Sequence, residues 1–318
     1  MTESTRLQHL PIALFAMVMG ISGLTLLWQK GAMVFGLPTA IGQGLLVLAG
    51  GMFALLLMAY ILKLARYPAA VQAELNHPVK LSFFATISIS LILLGTATRH
   101  ILPDFSLSLW AIGVGLHLAL TLFIVDRWMH HEHFQIVHIN PAWFIPAVGN
   151  ILVPIAGMTH GYVAVSWFFF SVGLIFWMIL LTIIFYRIIF HDPLPGRLLP
   201  TLFILIAPPA VGFIAYASMV GGMDPFARIL FNTGLFMTLL LATQIRRFAA
   251  LGFFLSFWAY SFPLAAMTIA AMVYHQHTGA DWAQWLSAVL IAVTSAVILW
   301  LCLLTVRAAG RGQICVPE

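Results

Sequence analysis

Charge is what this chain has least of. Only 7% of its 318 residues are charged, against about 25% in a typical soluble domain. Apolar residues make up 62%, and the mean hydropathy is +1.04. A soluble fold is excluded, and the bilayer is the solvent of a polytopic membrane protein. No stretch is long and polar enough for a separate soluble domain, so residues 1–318 read as a single transmembrane domain. The net charge is +5, but the charges sit in short loops, where they set topology. They are no signal for nucleic acid.

Cysteine is also scarce. Cys302 lies inside the last apolar run and Cys315 beyond it. With no Cys-x-x-Cys spacing, neither a disulfide framework nor a thiolate metal site is expected. No nucleophile–base constellation and no phosphate-cradling glycine loop is present, which argues against an enzyme with catalytic residues. His117 is the one histidine well inside an apolar run, so bis-histidine haem lacks its second ligand and no cofactor is expected. The loop His130, His131, Glu132, His133, with His138 nearby, is dense enough to consider a metal. It has no matching second cluster and no i, i+4 pair on a span, so it reads as a solvated loop.

The most informative absence is chemical. Deep in the apolar runs there is no Asp, Glu, Lys or Arg. Ion-coupled carriers commonly place an ionisable group at mid-membrane to hold the coupling ion. A pore lined by apolar and small polar groups holds its ion weakly, and weak holding favours fast passage.

What is present is a rhythm. Ten apolar runs cover about 11–28, 39–62, 81–98, 106–125, 142–159, 162–186, 199–220, 226–245, 251–274 and 283–306. Each has the length of a spanning helix. The first reads as a span rather than a cleaved signal, because it is long for a signal and no small-x-small cleavage site follows. With the N-terminus in the cytoplasm, Arg6, Lys63, Arg66, Lys80, Arg127, Arg187, Arg197, Arg246, Arg247, Arg307 and Arg311 are all inside. Lys30, Arg99 and Arg228 alone are outside. That bias predicts that both termini are cytoplasmic. A basic residue follows every even-numbered run, which suggests five successive helical hairpins.

Proline divides the runs into two kinds. Pro146, Pro154, Pro208, Pro209 and Pro263 lie inside runs five, seven and nine. The even runs have no internal proline. A proline inside a helix frees a carbonyl, which in lipid needs a protein or water partner. Broken odd helices around a cavity, walled by straight even helices, satisfy that need. Run nine, from Leu251 to Tyr274, has no charge and carries Phe262 and Pro263 at its midpoint. Phe262 is then either the centre of a pore or a packed aromatic beside a kink. Ser82, Thr86 and Ser90 form one polar stripe by i, i+4, i+8 spacing. Gly20 in run one, and Gly149 and Asn150 between Pro146 and Pro154, are further candidates for pore lining. Each set equally suits helix–helix packing, which uses the same small residues. Lys30, Arg99 and Arg228 are candidate charges at an outer mouth.

The chain resembles the slow-type anion channels of plant guard cells and the bacterial TehA-like proteins, grouped as the tellurite-resistance/dicarboxylate transporter family. The carriers are His77, Pro78 and Val79 with Ser82 and Phe83; the run Phe144, Ile145, Pro146, Ala147, Val148, Gly149, Asn150; Ala207 and Pro208; Asp224 through Phe231; and Trp258, Ala259, Tyr260, Ser261, Phe262. One departure lies in the first run, where Phe15 is followed by Ala16, Met17 and Val18. Such proteins often have a glycine and a proline there; Gly20 still matches.

The resemblance implies an all-α membrane protein of ten transmembrane helices, arranged as five hairpins around a central pore. Odd helices are inside and even helices outside. It implies a homotrimer with one pore per protomer and a pore-blocking phenylalanine at Phe262. The expected function is a passive anion channel of the bacterial inner membrane for small monovalent anions such as chloride and nitrate. The alternative is a carrier or exporter of C4-dicarboxylate, sulfite or tellurite-related oxyanions. Expected partners are inorganic anions and the lipid bilayer.

Overall fold

The computed structural model describes residues 6–130 and 134–317. Ten apolar helices run in order. They are α1 (Ile12–Phe35), α2 (Thr39–Arg66), α3 (Lys80–Thr98), α4 (Pro103–His130) and α5 (Pro141–Gly157), followed by α6 (Val163–Phe190), α7 (Gly196–Val220), α8 (Pro225–Ala242), α9 (Leu255–Thr278) and α10 (Asp281–Gly310). Nine are long and apolar enough to cross a membrane, among the described residues; α5 is shorter. Its three 3₁₀ residues and fourteen α residues still span about 27 Å, close to a ~30 Å hydrocarbon core. Short helices at Pro68–Asn76 and Ile245–Ala249 lie between spans.

Each odd helix packs against the even helix that follows it, giving five hairpins. The odd helices also close on one another. α1 touches α3 and α9, α5 touches α3 and α7, and α7 touches α9. This is a ring of five inside a wall of five. Burial agrees: the most apolar windows of α1, α3, α7 and α9 are 67–83% buried, and those of the even helices 17–33%. In the α-helical part of α5 every residue but Ile155 is buried. The long even helices bear no internal proline, which keeps their backbone bonds intact against lipid.

In lipid, helices associate through close packing rather than a hydrophobic drive. Glycine provides the closeness here. A Cβ on Gly95 would lie 2.9 Å from the Trp110 nitrogen, and one on Gly113 3.0 Å from the Ile92 nitrogen, so α3 and α4 touch backbone to backbone. Gly173 does the same for α6 against the Ala147 carbonyl of α5. Left-handed Gly36 and Gly279 end α1 and α9, a conformation that a side chain would strain.

Every odd helix opens with a 3₁₀ segment: Ile12–Leu14, Lys80–Phe84, Pro141–Trp143, Gly196–Ile206 and Leu255–Tyr260. All five lie on the face that bears the chain termini, called here the terminal face. The junctions to α-helix carry buried aromatics at Phe15, Phe84, Phe144 and Tyr260, so the hairpin repeat extends to local structure. This corrects the proline reading. Pro146, Pro208, Pro209 and Pro263 lie in the first α turn after the junction. There the missing N–H removes no i→i−4 bond of the α ladder. Pro154 alone interrupts an α segment, and Pro200 lies within the 3₁₀ run of α7. Phe262 is the eighth of the 24 residues of α9 rather than its midpoint.

A second correction concerns charge. Lys63 is 2% exposed and forms a 2.7 Å ion pair with Glu74 of the short helix after α2. Its ammonium also donates to the Leu10 carbonyl at 2.8 Å. Glu74 accepts from the Tyr60 hydroxyl at 2.7 Å and from the Ile12 N–H at 3.3 Å. This buried cluster ties α2, the short helix and the start of α1 together. The loop rule for basic residues does not describe it.

Candidate functional site

The five-helix ring encloses two cavities along one axis. The larger, about 560 Å³, opens toward the face opposite the termini, called here the distal face. All five odd helices line it, with Leu26 from α1, Leu93 from α3, Leu152 from α5, Ile214 from α7 and Ile269 from α9. The smaller, about 40 Å³, lies toward the terminal face. It too is lined by all five, through Met19, Thr86, Val148, Ile204 and Trp258. Phe262 is the one residue bordering both cavities. The residue is 7% exposed. A Cβ on Gly23 would lie 3.2 Å from Phe262 Cδ2 and 3.1 Å from the Ala265 methyl, so Gly23 of α1 makes the seat for the ring.

The wall offers an ion few ligands. The Thr86 hydroxyl donates to the Phe83 carbonyl, and the Thr201 hydroxyl to that of Leu198. Their protons are committed to their own backbone, and the remaining wall of the terminal cavity is largely apolar.

The distal cavity differs at its mouth. Lys30, Arg99, His100 and His277 line it, and no Asp or Glu is among the lining residues. Arg99 Nη1 donates to the Thr96 carbonyl at 2.7 Å, which satisfies an end group of α3. Arg99 Nε donates to His100 Nε2 at 3.1 Å. Partial desolvation, with the Arg99 charge added, holds the His100 imidazole below its ordinary range. That bias toward the neutral imidazole leaves Lys30 and Arg99 as the strong bases of the mouth.

Two cavities that share one aromatic, inside a ring of five hairpins, set the context for the chain's relatives. Residues 9–306 match the voltage-dependent anion channel family, SLAC1. The chain belongs to this family. It is 28% identical over 303 residues to the S-type anion channel SLAH3 of Arabidopsis thaliana, covering 93% of this chain. That match spans about half the relative's length, 48%. The tellurite resistance protein TehA homolog of Haemophilus influenzae is 26% identical, over 96% of this chain and 92% of its own length. The uncharacterized transporter MJ0762 of Methanocaldococcus jannaschii is 32% identical over 67% of this chain and 69% of its own.

Within this fold, the residues expected from the sequence fall into groups. Phe262, Thr86 and Pro263 border the terminal cavity, and Lys30 and Arg99 the distal one. Arg228 is exposed and borders neither of the two. Gly20 packs α1 onto α9, since a Cβ there would meet Ser261 and Trp258. Ser82 and Ser90 are buried and border neither cavity; Ser90 donates to the Thr86 carbonyl at 2.7 Å. Pro208 is buried in the first α turn of α7.

Pro146, Gly149 and Asn150 form a joint with α3 and α4. His117 of α4 sits with its ring against Gly149, where a Cβ would come within 2.1 Å of it. His117 Nε2 donates to the Pro146 carbonyl at 2.7 Å, because a carbonyl only accepts. That leaves Nδ1 of the neutral ring to face the Ser88 hydroxyl at 2.8 Å. Asn150 Nδ2 donates to the same carbonyl at 2.7 Å and to Thr121 at 3.3 Å. The lumen face of α5 is instead Ile145, Val148, Leu152 and Ile155, an apolar stripe at helical spacing.

The histidine loop contributes no site among the described residues, where no group of three metal-ligating side chains occurs. His131, Glu132 and His133 lie outside the described residues. His130 pairs with Asp126 at 3.2 Å on the surface, and His138 Nδ1 accepts from the Gln135 N–H.

Proposed function

We propose that this chain is a passive channel for small monovalent anions, chloride and nitrate among them, whose pore Phe262 occludes. The observation that carries this reading is that two coaxial cavities, each lined by all five inner helices, share Phe262 and no other residue. An ion meeting an aromatic ring in an apolar constriction loses hydration without gaining ligands, so the ring is a barrier. With no fixed cation at the constriction, selectivity follows dehydration, and weakly hydrated nitrate passes more readily than chloride. The inner helices all point their N-termini to the terminal face, and their aligned dipoles favour an anion entering there. At the distal end, Lys30 and Arg99 offset the negative C-termini and draw anions in. Reversal potentials in planar bilayers with chloride on one side and nitrate on the other test the reading. They are expected to follow the anion gradient, with nitrate the more permeant. A current that follows the cation gradient overturns it.

A second reading is a carrier or exporter of C4-dicarboxylate, sulfite or tellurite-related oxyanions, and the name of the Haemophilus relative, a tellurite resistance protein, fits its last part. Transport against a gradient, abolished by an uncoupler, is the result that would favour it.

Topology and assembly belong to the same proposal. The terminal face carries eleven of the fourteen basic residues, a bias that supports a cytoplasmic terminal face in an inner membrane. Reporters fused at the C-terminus and after α4 are both expected to read cytoplasmic; a periplasmic C-terminus refutes the orientation. The even helices expose long apolar faces, including Leu48, Leu55, Trp285 and Leu303. We assign part of that surface to a homotrimer with one pore per protomer. The mass in mild detergent is expected near three protomers, and a stable, fully active monomer would count against it.

A further inference from the structure

We propose that the distal vestibule is a binding site for amphiphilic monocarboxylates, compact apolar acids that plug the pore above Phe262. The inference deepens the channel reading and rests on it for the plugging, though not for the binding.

The vestibule is larger than a small anion requires. Its volume of about 560 Å³ corresponds to roughly 20 waters and falls within the usual range for small-molecule pockets. Its polarity is graded. Lys30, Arg99, His100 and His277 stand at the ends of the inner helices, at the mouth. Below them the wall is Leu26, Leu93, Leu152, Ile155, Ile214 and Ile269, and the floor is Phe262. Nitrate or chloride uses the mouth and gains nothing from the wall. A molecule with one carboxylate and an apolar body uses both, head at the mouth and body on the floor.

Charge complementarity sets the head group. Arg99 spends Nη1 on the Thr96 carbonyl and Nε on His100, and among the described residues no hydrogen bond engages its Nη2. No carboxylate in the lining competes for it or for Lys30. The same gradient rejects a dicarboxylate whose charges lie at opposite ends. Its second carboxylate would meet Phe262 and the leucines, where an unpaired charge is costly.

The test uses 2-naphthoate and the full-length protein in lipid nanodiscs, with protein-free nanodiscs subtracted for lipid partitioning. Saturable binding of one 2-naphthoate per protomer is expected. Neutral naphthalene-2-methanol and 2,6-naphthalenedicarboxylate are each expected to bind at least tenfold more weakly. Arg99→Gln with Lys30→Gln is expected to raise the Kd for 2-naphthoate at least tenfold. Equal binding of acid and alcohol to the unaltered protein overturns the site, whether or not the double variant folds. So does the absence of saturable binding. Nitrate flux in proteoliposomes separates this idea from the channel reading. Flux without 2-naphthoate binding removes the site and leaves the channel. Charge-dependent binding without flux, in the unaltered protein and in Phe262→Ala alike, leaves the site and removes the channel.

Discussion

Phe262→Ala is expected to raise anion conductance severalfold or more, with the protein still inserted and assembled. The side chain is the sole shared border of the two cavities. Replacing the ring with a methyl group joins them into one path through the five-helix ring. The barrier falls because an ion keeps part of its water where it previously met carbon. A fully packed phenylalanine would behave differently, since truncating it costs roughly 3–5 kcal/mol through lost contacts and an unfilled void. Phe262 already has open space on both sides, and only part of its surface is packed, notably against Gly23. Its truncation is therefore expected to cost less than that range. Phe262→Leu keeps a smaller apolar plug and is expected to fall between the two in conductance, with little stability lost. Current per correctly inserted protein, measured beside thermal stability for wild type, Leu and Ala, decides the matter. Flat current with falling stability would make Phe262 a packing residue and remove the proposed gate.

The outline of this fold was legible because lipid punishes exceptions. A spanning helix must be apolar over its full width, so the ten runs stand out, and the in-run prolines fall only in odd runs, four of the five in the first α turn after a 3₁₀ opening, so odd and even runs separate. The details were less legible because they depend on partners distant in sequence. Pro263 read as a mid-helix kink because nothing local announces that α9 opens as 3₁₀ and turns α-helical only at Ser261. The polar stripe at Ser82, Thr86 and Ser90 has the spacing of a lining, but only contacts show Thr86 alone at a cavity. The lumen stripe of α5 is Ile145, Val148, Leu152 and Ile155, whose apolar character in a membrane helix carries no signal. Gly149 looked like a pore residue; its smallness makes room for His117, 32 positions earlier. Phe262 was singled out by family resemblance, since its own surroundings in the sequence equally suit a packed ring. Lys63 counted as a loop charge because its partner Glu74 comes from a separate short helix.

That ion pair carries the second large effect. Glu74→Gln is expected to lower stability by roughly 3–5 kcal/mol, because it leaves the Lys63 ammonium buried without its counter-charge. Lys63 is 2% exposed, and the Glu74 side chain 9%. The amide keeps one acceptor oxygen, for either Ile12 or Tyr60, so one neutral hydrogen bond is lost beside the charge facing Lys63, and the unpaired charge is the larger loss. Adding Lys63→Met should then raise stability above that of the single variant, since the stranded charge is gone and a linear apolar side chain fills its place. The Leu10 carbonyl then loses its donor, a penalty of about 1–3 kcal/mol. The sign is the diagnostic point. A second substitution in the same buried cluster normally compounds the first, and here it is expected to repair it. Neither Lys63 nor Glu74 borders the two cavities, so anion current per folded protein is expected to stay at the wild-type level in both variants. Thermal melts of wild type, Glu74→Gln and the double variant in the same detergent measure the effect. If the double variant melts below Glu74→Gln, the loss lies in hydrogen bonding or packing around Tyr60 rather than in an unpaired charge, and the account of this cluster fails.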